Sequence, residues 1–523
     1  MESQVYPSTC LLKHRVTGEQ KVQNLLYRDL VEDPWELLHH DSNSQLRDKQ
    51  PHFCISVPSE TEWIGSAAIE CIDKHNESYG GSAGLSDALN SLTIQEASNP
   101  ETVELMKKKL ASHNECMSVI VKTYGNDPLL PLNEIIEVWG IIEKVTTETS
   151  FNDDDQQVLS VNYLDLLPRV HAIYCEPLRG LRSNPLTRDL AIPRSTITAE
   201  AASLRKASIE YLASHLMGDT LAAEYLFLQL FSRVLSHDTA YPVGHYPLNL
   251  CQVRNTPSGF TDGLFKALSN FVPFSRQIPL TIESLNTKLW MYPDQTRFSQ
   301  LDLGLCSGEL QLPASTLVVV DETTMSDGTL IERGINNIRQ IAETIQSAQV
   351  SYNVGFGSTI EKPVDYRFLV LSEGKSMFQI PAVVPLEPVD DFKAAQHGTT
   401  SIDPPLFELI RILVEIMKGD DHDISKDMED IIATEFTQTR RAARDSNLPV
   451  DDGTNLMQRL VVAQLIRRSF GKSELDLRCW QMAGELEMMR LARCERLPKS
   501  NDAGPSQSGV SVDALASNEA PSR

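Results

Sequence analysis

Paired cysteines are missing from this sequence: its nine (Cys10, Cys54, Cys71, Cys116, Cys175, Cys251, Cys306, Cys479 and Cys494) are odd in number, scattered, and nowhere spaced Cys-x-x-Cys. That pattern speaks against a zinc site or a disulfide framework and points to reduced thiols, as in the cytosol or nucleus. Positive charge is also scarce. With 47 Lys and Arg against 71 Asp and Glu the chain carries a formal net charge of −24. A sequence-independent grip on nucleic acid comes from Lys and Arg neutralising phosphates, so tight direct nucleic-acid binding is not expected and a basic partner is favoured over an acidic one. No apolar run reaches the roughly 18 residues of a membrane span, and the opening Met-Glu-Ser-Gln lacks a signal-peptide core, so no membrane contact is expected. The 12 histidines show no metal-ligand spacing, and the adjacent His39-His40 cannot share a helical face. The expectation is therefore a protein with no metal, no cofactor and no catalytic residue.

What is present is enough chain, 523 residues at 41% hydrophobic content, for roughly three domains of about 150 residues. Strand-like alternation runs through Thr9-Cys-Leu-Leu-Lys, Gln23-Asn-Leu-Leu-Tyr27 and His52-Phe-Cys-Ile-Ser-Val57, starting so close to Met1 that it looks cut into. Residues 76–113, rich in Ser, Gly, Asn and Asp, read as a loop-like insertion. Strand signals resume at 117–124 and 134–142, and again at 169–175 after the acidic Asp153-Asp154-Asp155. Gly140, inside the β-branched Val138-Trp-Gly-Ile-Ile142, suits a small Greek-key barrel where a strand coils sharply. Residues 1–178 are accordingly read as an OB-like β domain, with Trp139 assigned to its core and base stacking as the alternative.

From Ser203 onward helical periodicity takes over, and then strands and helices alternate. The continuous apolar strands Thr316-Leu-Val-Val-Val320 and Tyr366-Arg-Phe-Leu-Val-Leu371 imply a sheet covered on both faces, hence an α/β domain over 195–390. Helical patterns at 405–418, 424–444, 454–470 and 474–496 form a lid or bundle, 400–497, with Trp480, Met488 and Leu491 as packing anchors. Residues 498–523 hold too little apolar content to fold.

Two stretches resemble nucleotide machinery in degenerate form. The first opens at Gly218. A phosphate loop reads Gly, four residues, then Gly-Lys-Ser/Thr, but here Ala223, Glu224 and Tyr225 stand at the last three places. An acidic residue at the lysine position repels a triphosphate. The buried helix that follows explains the stretch without any ligand, and Asp219 or Thr220 would cap it. The second is Leu317-Val-Val-Val-Asp321-Glu322, which has the form of a Walker B strand. Gly374-Lys375-Ser376 and Gly471-Lys472-Ser473 match the end of a phosphate loop, but Leu369 and Ile466 stand where the earlier glycine belongs, so both read as turns.

Seven stretches carry a resemblance to one family: Phe53 to Trp63, Glu137-Val-Trp-Gly-Ile141, Leu167-Pro-Arg-Val-His171, Leu216 to Leu226, Ser307-Gly-Glu-Leu-Gln-Leu-Pro313, Leu317 to Glu322, and Leu371-Ser-Glu-Gly-Lys375. Together they resemble the minichromosome maintenance complex-binding protein family, nuclear eukaryotic proteins that associate with the replicative helicase. The resemblance implies several tens of largely helical residues ahead of the point where this chain starts. The helicase subunits themselves carry an OB barrel, a nucleotide-hydrolysing AAA+ domain and a helical lid in that order, which matches the order read above. It implies multidomain α/β plus β architecture, a degenerate AAA+-like paralogue, and a non-enzymatic nuclear partner of the helicase subunits. Its implied roles are assembly and stability of the helicase, its release from chromatin late in DNA replication, and sister-chromatid cohesion in the cell cycle. The rival readings are an active AAA+ remodeller, disfavoured by Glu224, and a single-stranded nucleic-acid binder, disfavoured by charge. One departure is local: Ser208 to His215 read as helix, where a phosphate loop requires a strand.

Overall fold

The computed structural model describes residues 4–7, 9–24, 35–39, 46–64, 109–110, 113, 116–124, 130–143, 167–188, 192–237, 242–296, 305–389, 402–420, 424–445 and 453–497. The expected disordered tail, the acidic loop at 153–155 and most of the insertion at 76–113 lie outside the described residues. Two compact units emerge, and they do not divide the chain at one point. The first comprises Met1–Pro58, Ile72–Arg179 and Asp294–Gly308, and the second comprises Ser59–Cys71, Gly180–Pro293 and Glu309–Arg523.

The first unit is β. Its larger sheet has the order β1-β5-β6-β8-β7, from β1 (Gln4–Pro7), β5 (Leu46–Ile55), β6 (Ser118–Tyr124), β8 (Arg169–Pro177) and β7 (Ile136–Glu143). A three-stranded sheet, β3-β2-β4, is built from β3 (Gln20–Asn24), β2 (Thr9–His14) and β4 (Trp35–His39). All pairings are antiparallel except β6 with β8, and among the described residues none joins the two sheets into a closed barrel. The β-branched Val119-Ile-Val121 of central strand β6 feeds both faces. Ile120 packs with Leu110, Leu167 and Cys306, and Val121 with Ala172 and Cys175. Cys306 comes from 294–308, the excursion that completes this core.

Strand β7 forms an edge of its sheet, and its register with β8 slips by one between Trp139 and Gly140, the extra residue being Ile173 of β8. A Cβ on Gly140 would lie 2.2 Å from the His171 carbonyl oxygen, so the close approach of β7 to β8 requires glycine there. The expectation that Trp139 is core is corrected: its side chain is 58% exposed. Ile136 and Val138 pack against Val121, Ala172 and Cys175, so the alternation of the strand sends Trp139 to the other face.

The second unit is α/β. Helices α1 (Arg194–His215) and α2 (Thr220–Gln229) precede β9 (Leu248–Cys251), α3 (Phe260–Ser269), β10 (Ser275–Pro279), β11 (Leu317–Asp321), α4 (Glu332–Ser347), the hairpin β12 (Gln349–Gly355) and β13 (Ser358–Pro363), β14 (Arg367–Leu371) and β15 (Ala382–Pro385). The sheet order is β10-β11-β14-β9-β15, parallel throughout. Every residue of β11 and β14 is buried, which is what a continuous apolar strand covered on both faces demands. Helices α5 (Pro404–Lys418), α6 (Lys426–Asp445), α7 (Thr454–Ser469) and α8 (Leu477–Glu495) follow. They share the core of the sheet. One core runs from Leu204 and Leu226 through Val319 and Leu369 of the sheet to Leu413, Leu465 and Trp480 of these helices.

Residues 59–64, read from sequence as part of the β domain, belong to this unit. Glu60 bridges Phe274, the Thr61 hydroxyl donates to the carbonyls of Val272 (3.2 Å) and Pro273 (3.1 Å), and the Trp63 indole donates to the Ser269 carbonyl at 3.0 Å. The Arg411 guanidinium stacks 4.1 Å from the Trp63 ring centre.

Candidate functional site

In open parallel sheets, ligands bind outside the carboxyl ends of the strands, where the strand order reverses. Here the chain leaves β9 toward β10 at one edge of the sheet and leaves β14 toward β15 at the other, so the switch falls between β9 and β14. The loops that open there are Gln252 to Gly259 after β9, Glu322 onward after β11, and Ser372 onward after β14. Sequence reasoning missed the first of these. That loop is Gln-Val-Arg-Asn-Thr-Pro-Ser-Gly, with Gly259 at φ +79° just before α3 and no lysine at all. Nothing in its composition marks it; only the strand order does.

The acidic pair at the end of β11 is occupied by its own surroundings. Asp321 is buried, and its Oδ1 accepts from the Thr323 amide (2.9 Å) and the Thr323 hydroxyl (2.6 Å). Glu322 accepts from the Ser376 hydroxyl at 2.6 Å and the Met377 amide at 3.4 Å, while its own amide donates to the Leu371 carbonyl. The Gly374-Lys375-Ser376 stretch is therefore a turn with a use: it carries the donor that Glu322 binds. Beside it, the Ser372 hydroxyl donates to Asn249 Oδ1 at 3.0 Å, tying β14 to β9. Among the described residues, no group of three or more His, Cys, Asp or Glu is placed to hold a metal ion.

Burial pushes the Glu322 carboxyl up to about 7 from the ordinary 4.5, against the opposing pull of its two hydrogen bonds. A raised folded value means that the folded chain binds the proton more tightly than the unfolded one. Its stabilising contribution is full below about pH 4.5 and is lost as pH rises through 7. Glu322→Gln should therefore gain up to about 3 kcal/mol over wild type at pH 8 and little at pH 5. Urea unfolding midpoints at the two pH values check this; an equal gap at both would overturn it.

The Gly218 stretch sits at a corner between two helices, not after a strand. Gly218 takes φ +85° and donates its amide to the Ala213 carbonyl at 2.8 Å, closing α1. Asp219 caps α2 by accepting from the Ala222 amide at 3.0 Å. Ala223 is fully buried in the common core. Glu224 pairs with Arg205, whose Nε also donates to Ser469 Oγ at 3.1 Å and whose guanidinium lies 4.7 Å from the Phe470 ring centre. The buried Tyr225 hydroxyl donates to Glu487 of α8 at 2.7 Å. Glu224 and Tyr225 thus engage Arg205 of α1 and Glu487 of α8, while Asp321 and Glu322 face the loops after β11 and β14. The two sets share no partner among the described residues. Gly471-Lys472-Ser473 forms the turn after α7, its Lys472 and Ser473 carbonyls accepting from Arg467 at 2.8 and 2.7 Å.

A family model described as mini-chromosome maintenance replisome factor matches residues 1–83 and 73–494. The chain is similar to a mini-chromosome maintenance complex-binding protein of Salmo salar, 28% identical over 542 residues that cover 92% of this chain and 84% of the relative. A Homo sapiens protein of that name is 25% identical over 549 residues (90% and 83%), and one of Arabidopsis thaliana is 25% identical over 485 residues (86% and 80%).

Proposed function

Since the chain belongs to the mini-chromosome maintenance replisome factor family, we propose that it is a non-catalytic nuclear partner of the minichromosome maintenance helicase subunits. It supports their assembly and stability, and promotes release of the helicase from chromatin late in DNA replication, with an effect on sister-chromatid cohesion. In this reading the second unit is a degenerate AAA+-like paralogue of a helicase subunit and the main docking surface, mimicking a neighbour in a head-to-tail ring. The five parallel strands sharing one core with the C-terminal helices support it. The first unit is OB-like, supported by a five-stranded sheet in which β8 lies inside β7 in the Greek-key manner.

The observation that carries the non-catalytic part is the engagement of Asp321 and Glu322 by Thr323, Ser376 and Met377, beside a first loop that has no lysine and whose one cation, Arg254, lies 3.6 Å from Glu373. Phosphoryl transfer depends on cations that stabilise phosphate charge, and this strand end presents two carboxylates already bound to protein donors. Purified full-length protein should release no phosphate from ATP. Steady-state release that disappears in Glu322→Gln would overturn the proposal, because a contaminating ATPase would ignore that substitution. The docking part is tested by capture of purified helicase subunits on the full chain, since each unit takes a segment from the other's stretch of sequence.

Trp139 and Tyr174 are cross-strand partners, 58% and 50% exposed, and have the form of a base-stacking pair. Two positions along, on the same face, Glu137 stands opposite Glu176, however, and that pair repels a phosphate backbone.

A further inference from the structure

The β12–β13 hairpin breaks a local rule at its tip and gains nothing from it among the described residues. Gly355 pairs with Ser358, leaving a two-residue loop, Phe356-Gly357, with φ of +53° and +73°. Such loops need positive φ at both positions and are filled best by Asn-Gly, because Asn tolerates the left-handed region and a bulky side chain does not. Phenylalanine is strained there. Nor is it repaid by burial: Phe356 is 103% exposed, the full reach of the side chain in solvent. A strained backbone position holding an exposed aromatic is a departure of the kind that marks a functional site.

The base of the hairpin is rigid. Val350 and Tyr352 are buried, the Asn353 amide donates to the Pro293 carbonyl at 3.0 Å, and Ser351 donates to Glu361 across the strands at 2.7 Å. Asn353 Oδ1 accepts from the Gly355 amide at 3.1 Å, fixing the approach to the turn. An aromatic held this way loses little freedom on docking, which is the property of an interface anchor.

We propose that Phe356 is an anchor that inserts into an apolar pocket on a helicase subunit, an inference that rests on the helicase-partner reading above. The charge of the hairpin selects a protein pocket over a nucleobase. Between Gln349 and Pro363 the charged residues are Glu361 and Lys362, which cancel, so the tip offers no net cation to a phosphate backbone.

Phe356→Asn tests this, because a structural role and a docking role predict opposite results. Asparagine suits the turn, so the melting temperature of the full chain should hold or rise while affinity for the purified minichromosome maintenance complex falls about tenfold or more. Phe356→Trp should keep affinity within about threefold of wild type. If wild type binds the complex and Phe356→Asn binds equally well, the anchor is overturned and the helicase-partner reading stands. Failure of wild type to bind the complex or any purified subunit overturns both. A wild-type affinity for oligo-dT, or a wild-type dimer in sedimentation, that the Asn variant loses assigns Phe356 to base stacking or self-association instead and overturns the pocket.

Discussion

Glu224→Lys is expected to destabilise the second unit by about 3–5 kcal/mol, the cost of leaving one member of a buried ion pair beside a like charge. Arg205 and Glu224 are 10% and 16% exposed at their side chains, so solvent screens them little. Arg205 cannot turn away, because Ser469 and the Phe470 ring hold it from the far side. The lysine would therefore meet a fixed guanidinium in a setting of low polarisability. No nucleotide affinity should appear, since Glu224 pairs with Arg205 of α1 at a helix corner and not at a strand end. Urea unfolding followed by circular dichroism should show a lower midpoint at unchanged slope. Charge reversal of the pair, Arg205→Glu with Glu224→Lys, should recover part of the loss. A single-variant midpoint within error of wild type would mean that the pair contributes nothing.

Asp219→Ala should cost about as much, roughly 3–5 kcal/mol, for a different reason. This side chain, 0% exposed, joins three elements. It caps α2 through Ala222, accepts the Glu387 amide at 2.8 Å beyond β15, and takes both arms of Arg493 in α8, at 2.6 and 3.0 Å. Arg493 would keep the Pro385 carbonyl and a longer contact to Glu387 at 3.4 Å, which leaves it under-compensated. Asp219→Asn should fall between, restoring the cap without the charge. A loss no larger than the roughly 1 kcal/mol of a helix cap alone would rule out the wider role.

Elements with strong periodicity were legible in the sequence. The four C-terminal helices, α2, β11 and β14 lie within a few residues of where their apolar patterns put them, because burial on a helix face or on both sides of a sheet leaves a direct trace in residue order. The hairpin at Gln349–Pro363 was not legible, since Phe-Gly stands in place of the Asn-Gly that announces such a turn. Four-residue β15 is too short for any period to register. Trp139 was misplaced because composition does not say which face of a strand is packed. The candidate site depends on the order of strands and on a hydrogen bond between Glu322 and Ser376, 54 positions apart. Both belong to tertiary structure, and no local pattern encodes them.

The interleaving of the two units also sets a timetable for folding during synthesis. Domains commonly fold in the order in which they leave the ribosome. Here the core around Leu110, Ile120 and Leu167 lacks Cys306 until more than a hundred further residues have emerged after Arg179, a wait on the order of ten seconds at ordinary elongation rates. Throughout that interval the nascent first unit exposes apolar surface that only later chain can cover. Ribosome-bound chains stopped short of residue 294 should accordingly recruit chaperones, and those long enough for residue 308 to have left the exit tunnel should release them.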